Sequence, residues 1–190
     1  MSTFSKSTFN AVAYAASRPS YPPALYAHVL ASAKPFPSPP ATRTLLDLGC
    51  GPGLSTFAFL PHFSHVIGLD PSKNMVEEAK SLLLERQVDE GKKVDFRVGS
   101  GEDLKKAGVE AASVDLVVAG QAAHWFDAAK VYDELKRVLK PGGSFCFWGY
   151  GEFFLPDYPK SSALIPPYSA GTLGVFPSSG HDNRIHLAHH

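Results

Sequence analysis

The amino-acid sequence predicts an α/β protein with a doubly wound parallel sheet. Three observations predict it: from Thr44 onward short aliphatic runs alternate with amphipathic segments, the connections are short, and the first aliphatic run ends in the glycine-spaced turn "LGCGPG". Parallel strands need crossovers and right-handed crossovers dominate, so the alternation places helices on the faces of one sheet. Ligands of such sheets sit at the carboxyl ends of the strands, near the point where strand order reverses. The glycine turn lies at one such end.

The elements follow in order. Pro22 and Pro23 suit the first turn of a helix and Leu25 and Val29 share a face, which predicts a short helix over 22–33. "KPFPSPPATR" carries four prolines in ten residues and reads as a stiff linker. Next come "TLLDLG" as a buried strand, "LSTFAFLPHF" as a helix and "HVIGLD" as a second strand. "SKNMVEEAKSLLLERQ" is a helix with Met75, Val76, Ala79, Leu82 and Leu83 on one face and Ser72 placed to cap it. "VDFRVGS" is a third strand, "GEDLKKAG" is irregular, and "VDLVVAG" is a fourth strand. Asp127 caps a helix striped by Val131, Leu135, Val138 and Leu139, and "KPGG" ends it before the strand "SFCFWGY".

Composition narrows the function classes. The 190 residues, 44% hydrophobic and 19% charged, suit one domain with a sizeable core. Eighteen basic and eighteen acidic residues cancel, so no net field exists to neutralise many phosphates, which argues against nucleic acid as the main partner. Cys50 and Cys146 stand far apart in apolar settings, suiting neither a disulfide framework nor a metal cluster. The sequence shows neither a signal-peptide core nor a long apolar run, so the expectation is a cytoplasmic chain with no membrane partner.

The glycine turn carries the chemistry. Gly49, Gly51 and Gly53 remove Cβ atoms that would hold the backbone off a ligand, and the following helix offers its N-terminal dipole end. Asp70 ends the second strand, where a carboxylate can accept from both hydroxyls of a ribose. That spacing suits a dinucleotide and an adenosyl sulfonium equally. A dinucleotide fingerprint, GxGxxG, needs glycine at position 54, where this chain has Leu54. Asp47, two residues before the first glycine, would repel a pyrophosphate and attract an ammonium or sulfonium, a difference in sign of about 4 kcal/mol at roughly 4 Å before desolvation. Glu102 and Asp103 follow the third strand, and Glu102 is the better placed to accept from an adenine amino group.

These residues resemble class I S-adenosylmethionine-dependent methyltransferases of the type 11 group through "LLDLGCGPG", "VIGLDPSKNMVEEA", "VGSGEDL", "VDLVVAGQAAHWFD" and "LKRVLKPGGSFCFW". The segment "FNAVAYAASRPSYPPALYAHV" with "AAHWFD" is similar to trans-aconitate methyltransferase-like proteins of fungi and plants. The resemblance, over residues 9–150, implies a Rossmann-like fold, S-adenosyl-L-methionine as cofactor, and a small-molecule acceptor such as the carboxylate trans-aconitate. It implies that Asp47, Gly49, Gly51 and Gly53 surround the methionine part, Asp70 holds the ribose, Met75 packs on the adenine and Glu102 borders its edge. Gln121 to Trp125 would line the floor beneath the methyl group, and Tyr14, Arg18 and Tyr21 would close over the cofactor. The catalytic assignment stays open. His124 is a candidate because imidazole titrates near neutrality, but an ionised carboxylate needs no base, so His124 reads first as a positioning or packing residue. Trp125 and Phe126 read as pocket wall or core.

The resemblance also implies a further helix and a β-hairpin that completes a seven-stranded sheet. Residues 151–190 show neither helical nor strand periodicity, so the hairpin is expected to be absent, and His181, His186, His189 and His190 fall in an irregular tail with no metal site. "SFCFW" would then be an exposed apolar edge, and the chain would self-associate unless the tail or another chain covers it. The expected organisation is an N-terminal helical arm and proline-rich linker over 1–40, a cofactor-binding domain over 41–150, and a tail over 151–190. Two functional readings remain, a methyltransferase and a truncated cofactor-binding protein without methyl transfer. Leu54 and Asp47 disfavour a nicotinamide-dependent oxidoreductase.

Overall fold

The computed structural model describes residues 10–17, 20–149 and 186–189, with the side chains of Tyr14, Ala16 and 186–189 outside the description. The elements are α1 (Ala11–Ser17), α2 (Pro23–Ser32), β1 (Thr44–Leu48), α3 (Leu54–Phe59), β2 (His65–Asp70), α4 (Lys73–Leu84), β3 (Lys93–Val98), β4 (Val114–Gly120), α5 (Ala128–Val138), β5 (Leu139–Trp148) and β6 (His186–His189). They form one sheet in the order β3-β2-β1-β4-β5-β6. The first five strands are parallel, as predicted, and β6 is antiparallel to β5. The order reverses between β1 and β4, so the switch point lies where their carboxyl ends part.

Both faces of the central strands are buried, which is why β1, β2 and β4 read as aliphatic runs rather than strict alternations. Leu46, Leu48, Ile67, Val117 and Ala119 turn to the face covered by α5 through Val131, Leu135 and Val138. Leu45, Val66, Leu116, Val118 and Cys146 turn to the other face, where Val29 and Leu30 of α2 and Phe59 meet them. A third cluster joins Phe57, Val76, Ala79 and Phe96 around Cys50. Asp127 caps α5, accepting from the Lys130 N–H at 3.4 Å, while Ser72 occupies the N-cap position of α4 without a side-chain capping bond.

The proline-rich segment is tied to the sheet rather than spanning free space. Asp115, fully buried at the amino end of β4, accepts from the Ser38 and Thr44 N–H groups at 3.0 and 2.9 Å and from Lys140 Nζ at 2.7 Å. Lys140 also donates to Ser38 Oγ at 2.8 Å. The carboxylate therefore fixes the entry to β1 at the end of the sheet opposite the switch point.

Three sequence expectations are corrected. α3 stops at Phe59 and continues as a 3-10 turn over Leu60–His62, because Pro61 has no N–H to continue the ladder. "KPGG" is not a link between helix and strand: β5 begins at Leu139, and the register jumps from Val114↔Leu139 to Leu116↔Ser144, so these four residues bulge from the strand with Gly142 at φ 79°. The tail is not wholly irregular, since β6 pairs with β5 from Ser144↔His189 to Phe147↔His186. That pairing removes the exposed edge on which the expected self-association rested. No helix among the described residues is long and apolar enough to cross a membrane.

Candidate functional site

The glycine turn is fastened to the end of β2. Cys50 N–H donates to Leu69 O at 3.0 Å, and Gly51 N–H donates to Asp70 Oδ2 at 2.9 Å. The other Asp70 oxygen accepts from Ser72 N–H at 2.8 Å, so this one carboxylate orders both the turn after β1 and the start of α4. Burial raises its pKa, and the two backbone donors oppose that rise. A carboxylate oxygen has two lone pairs, so each can still accept one ribose hydroxyl.

The three glycines serve different purposes. A Cβ on Gly49 would lie 2.4 Å from Ala122 Cβ, so Gly49 lets the turn after β4 approach β1 at the switch point. A Cβ on Gly53 would lie 2.9 Å from the Phe96 ring, so Gly53 serves aromatic packing beneath the turn. Only Gly51, at φ +55°, faces open space, with nothing within 4 Å of the missing Cβ. The expectation that all three clear a ligand's path is thus narrowed to Gly51. The N-terminus of α3 offers little dipole to a ligand, because the helix has six residues and the hydroxyls of its first turn are engaged with Asp47.

Asp47 is fully buried and does not stand open as a cation trap. Its Oδ2 accepts from Thr56 Oγ1 at 2.6 Å and Ser55 Oγ at 2.9 Å, and its Oδ1 has no partner. Burial pushes its pKa up to about 6, against the two hydroxyl bonds that lower it, with nearby Asp70 adding a smaller rise. Ser55 and Thr56 thus belong to the site beside the expected residues, and two hydroxyls directly after the glycine turn are the signal in the sequence that marks them.

Gln121 follows β4 with φ 55°, a left-handed conformation that a residue with a side chain rarely adopts. Its N–H donates to Trp148 O at 2.8 Å, and its buried Nε2 has no partner. Glu102 is held between two groups, Oε2 accepting from Ser100 Oγ and Oε1 from the Asp127 N–H at 3.0 Å, so it ties the turn after β3 to the start of α5. Met75 is buried in the first turn of α4, which α1 contacts. His124 is exposed, its ring centroid 5.0 Å from that of Trp125, while Phe126 packs on Phe147. Tyr21 packs edge-on against Trp148 at 5.5 Å. Arg18 and the Tyr14 side chain lie outside the described residues.

Trp148, absent from the sequence-based site, is buried at the end of β5 with its Nε1 unpartnered. Its indole lies over Gly120, where a Cβ would come within 2.8 Å of the ring. Thus Asp47 Oδ1, Gln121 Nε2 and Trp148 Nε1, three buried polar atoms without partners among the described residues, all belong to the carboxyl ends of β1, β4 and β5. Buried polar groups normally find partners, so this end of the sheet is built to receive polar atoms.

A switch point with a Cβ-free turn at Gly51, pinned by a carboxylate that keeps spare acceptor capacity, is the arrangement expected of a nucleoside-cofactor-binding α/β domain. The comparisons then give the family. A methyltransferase domain family model matches residues 46–147. The Saccharomyces cerevisiae protein named "Probable S-adenosylmethionine-dependent methyltransferase CRG1" is 34% identical over 160 residues, covering 84% of this chain and 52% of that protein. An uncharacterized methyltransferase of Schizosaccharomyces pombe is 30% identical over 86% of this chain and 60% of its own length. Among solved structures, the YcgJ protein of Bacillus subtilis superposes with a TM-score of 0.55 at 32% identity, covering 70% of this chain and 53% of that one. A geranyl diphosphate methyltransferase solved with its S-adenosylmethionine shares the fold, with a TM-score of 0.57 at 22% identity over 83% of this chain and 60% of that one. The chain belongs to the class I S-adenosylmethionine-dependent methyltransferases, whose cofactor is S-adenosyl-L-methionine. It spans about half the length of the curated relatives it matches.

Proposed function

We propose that this chain is a methyltransferase that passes the methyl group of S-adenosylmethionine to a small oxygen-bearing acceptor, a carboxylate such as trans-aconitate. The observation that carries this reading is the pairing of Gly51 with Asp70: an open, Cβ-free turn pinned by the carboxylate that ends the neighbouring strand. Asp70 would hold the ribose hydroxyls, the Gly51 turn would accommodate the methionine part, and Glu102 and Met75 would border the adenine.

Bound cofactor would supply a methyl group on a sulfonium; a carboxylate oxygen would take that methyl as an ester, and the carbon–sulfur electron pair would leave on the neutral thioether. No proton moves in that step, which is consistent with a site that needs no general base and with His124 as a positioning side chain. The protein's contribution is alignment and the exclusion of water. The residues after β4, Gln121 to Trp125, would form the acceptor side.

Calorimetric titration with S-adenosylmethionine, S-adenosylhomocysteine and NAD, followed by a labelled-methyl assay over a panel of small acids, tests the reading. Binding of the two sulfur ligands and methyl ester formation on an acid are expected. Binding of NAD alone, or labelled methyl appearing only on amines, refutes it.

A further inference from the structure

Trp148 Nε1 and Gln121 Nε2 are N–H donors buried without partners among the described residues, and they lie at the paired ends of β5 and β4. The missing Cβ of Gly120 would lie 2.9 Å from Trp148 Nε1, and that of Gly149 would lie 3.6 Å from Gln121 Nε2. The Gln121 N–H to Trp148 O bond, 2.8 Å, joins the two residues directly, and Gly120 pairs with Trp148 in the β4–β5 ladder. The left-handed backbone of Gln121 maintains this arrangement at a cost in strain, a feature that clusters at binding sites.

Neither group is spare packing. Phenylalanine would fill most of the volume of an indole without leaving a buried donor unsatisfied, and an unsatisfied buried donor is costly. Indole and amide N–H groups donate to oxygen and cannot accept from an ammonium, and they carry no charge that would repel the sulfonium.

We infer that Trp148 and Gln121 are the specificity-determining donors of the acceptor half of the site, each holding an oxygen of a multi-oxygen acid in preference to a cationic amine, which offers these N–H groups no acceptor. The inference rests on the methyltransferase reading and deepens it. The acid need not bring one oxygen to both donors, since a di- or tricarboxylate presents several.

The test uses the full chain, labelled with nitrogen-15, saturated with S-adenosylhomocysteine and titrated with trans-aconitate. The chain has two tryptophans, so its two indole N–H signals are assigned with Trp148→Phe. The Trp148 indole and Gln121 side-chain amide signals are expected to move downfield and to saturate together with the calorimetric binding curve. Trp148→Phe and Gln121→Met are each expected to weaken the acid by about tenfold or more, the usual effect of losing a hydrogen bond to a charged acceptor, with S-adenosylhomocysteine affinity within about twofold of the parent. The spectra of the parent chain decide the matter even if a variant fails to fold. Acid that binds while both signals stay still overturns the donor assignment and leaves the acceptor class intact. Histamine bound as tightly as trans-aconitate also overturns the assignment. No binding of trans-aconitate to a chain that binds S-adenosylhomocysteine overturns the acceptor class, and the donor assignment with it.

Discussion

Asp47→Asn isolates what burial of that carboxylate does to the fold. Asp47 is fully buried, and its pKa rises from the ordinary 3.8 to about 6 chiefly through burial. Between those values the folded chain binds more protons than the unfolded one, so stability falls as pH rises, and the part contributed by protonated Asp47 is gone above about pH 6. A rise of about two pKa units at about 1.4 kcal/mol each corresponds to about 3 kcal/mol across that window. Asparagine cannot ionise, so the stability of the variant relative to the parent should climb by up to about 3 kcal/mol from pH 4 to pH 7. Any fixed offset from the amide's own hydrogen bonds drops out of that comparison. Urea unfolding of both proteins at half-unit pH intervals measures it. A difference that is flat with pH, or that falls as pH rises, refutes the reasoning.

Other positions separate packing from binding. Gly49→Ala should cost about 2–4 kcal/mol, from overpacking and a left-handed φ together, read as a lowered urea midpoint. Gly51→Ala meets only the φ penalty of about 1 kcal/mol, yet should weaken S-adenosylhomocysteine by about tenfold or more in calorimetry, since its methyl occupies the open space of the turn. Asp70→Ala should weaken the same ligand at least about tenfold, because the two ribose hydrogen bonds proposed for it would be lost together with the anchor of the Gly51 N–H. Lys140→Met should destabilise the chain by about 3 kcal/mol, by leaving Asp115 charged and buried, and should speed hydrogen exchange at the Ser38 and Thr44 amides.

The parallel sheet was legible because burial on both faces writes strands as uninterrupted aliphatic runs, and α5 was legible because Asp127 and an i, i+4, i+7 stripe mark both its start and its inner face. β6 was not legible. An edge pairing uses backbone groups that every residue has, and "HLAH" carries no pattern that selects a partner strand. At the site, glycine spacing located the turn, while the role of each glycine depended on neighbours distant in sequence, Ala122 for Gly49 and Phe96 for Gly53. Trp148 escaped notice for the same reason. An aromatic at the end of an apolar strand reads as core, and only the ring's position over Gly120, with its N–H unpartnered, sets it apart.

The switch point also divides the labour of the site. The groups assigned to the cofactor come from the ends of β1 and β2, through Gly51 and Asp70, and the groups assigned to the acceptor come from the ends of β4 and β5, through Gln121 and Trp148. The halves share the β1–β4 ladder as far as Asp47↔Val118, and beyond it they touch where Gly49 lets Ala122 close against the end of β1. Substitutions in the two halves should therefore act almost independently on binding of the separate ligands, as expected for sites that share no partner. In turnover that independence should fail, because on the proposed reading the methyl group would cross this boundary and a small misplacement of either reactant would lengthen the path. Gly51→Ala combined with Trp148→Phe should thus be additive in the two binding affinities and non-additive in kcat. Additivity in both would mean that the Gly49–Ala122 contact does not set the distance between the reactants.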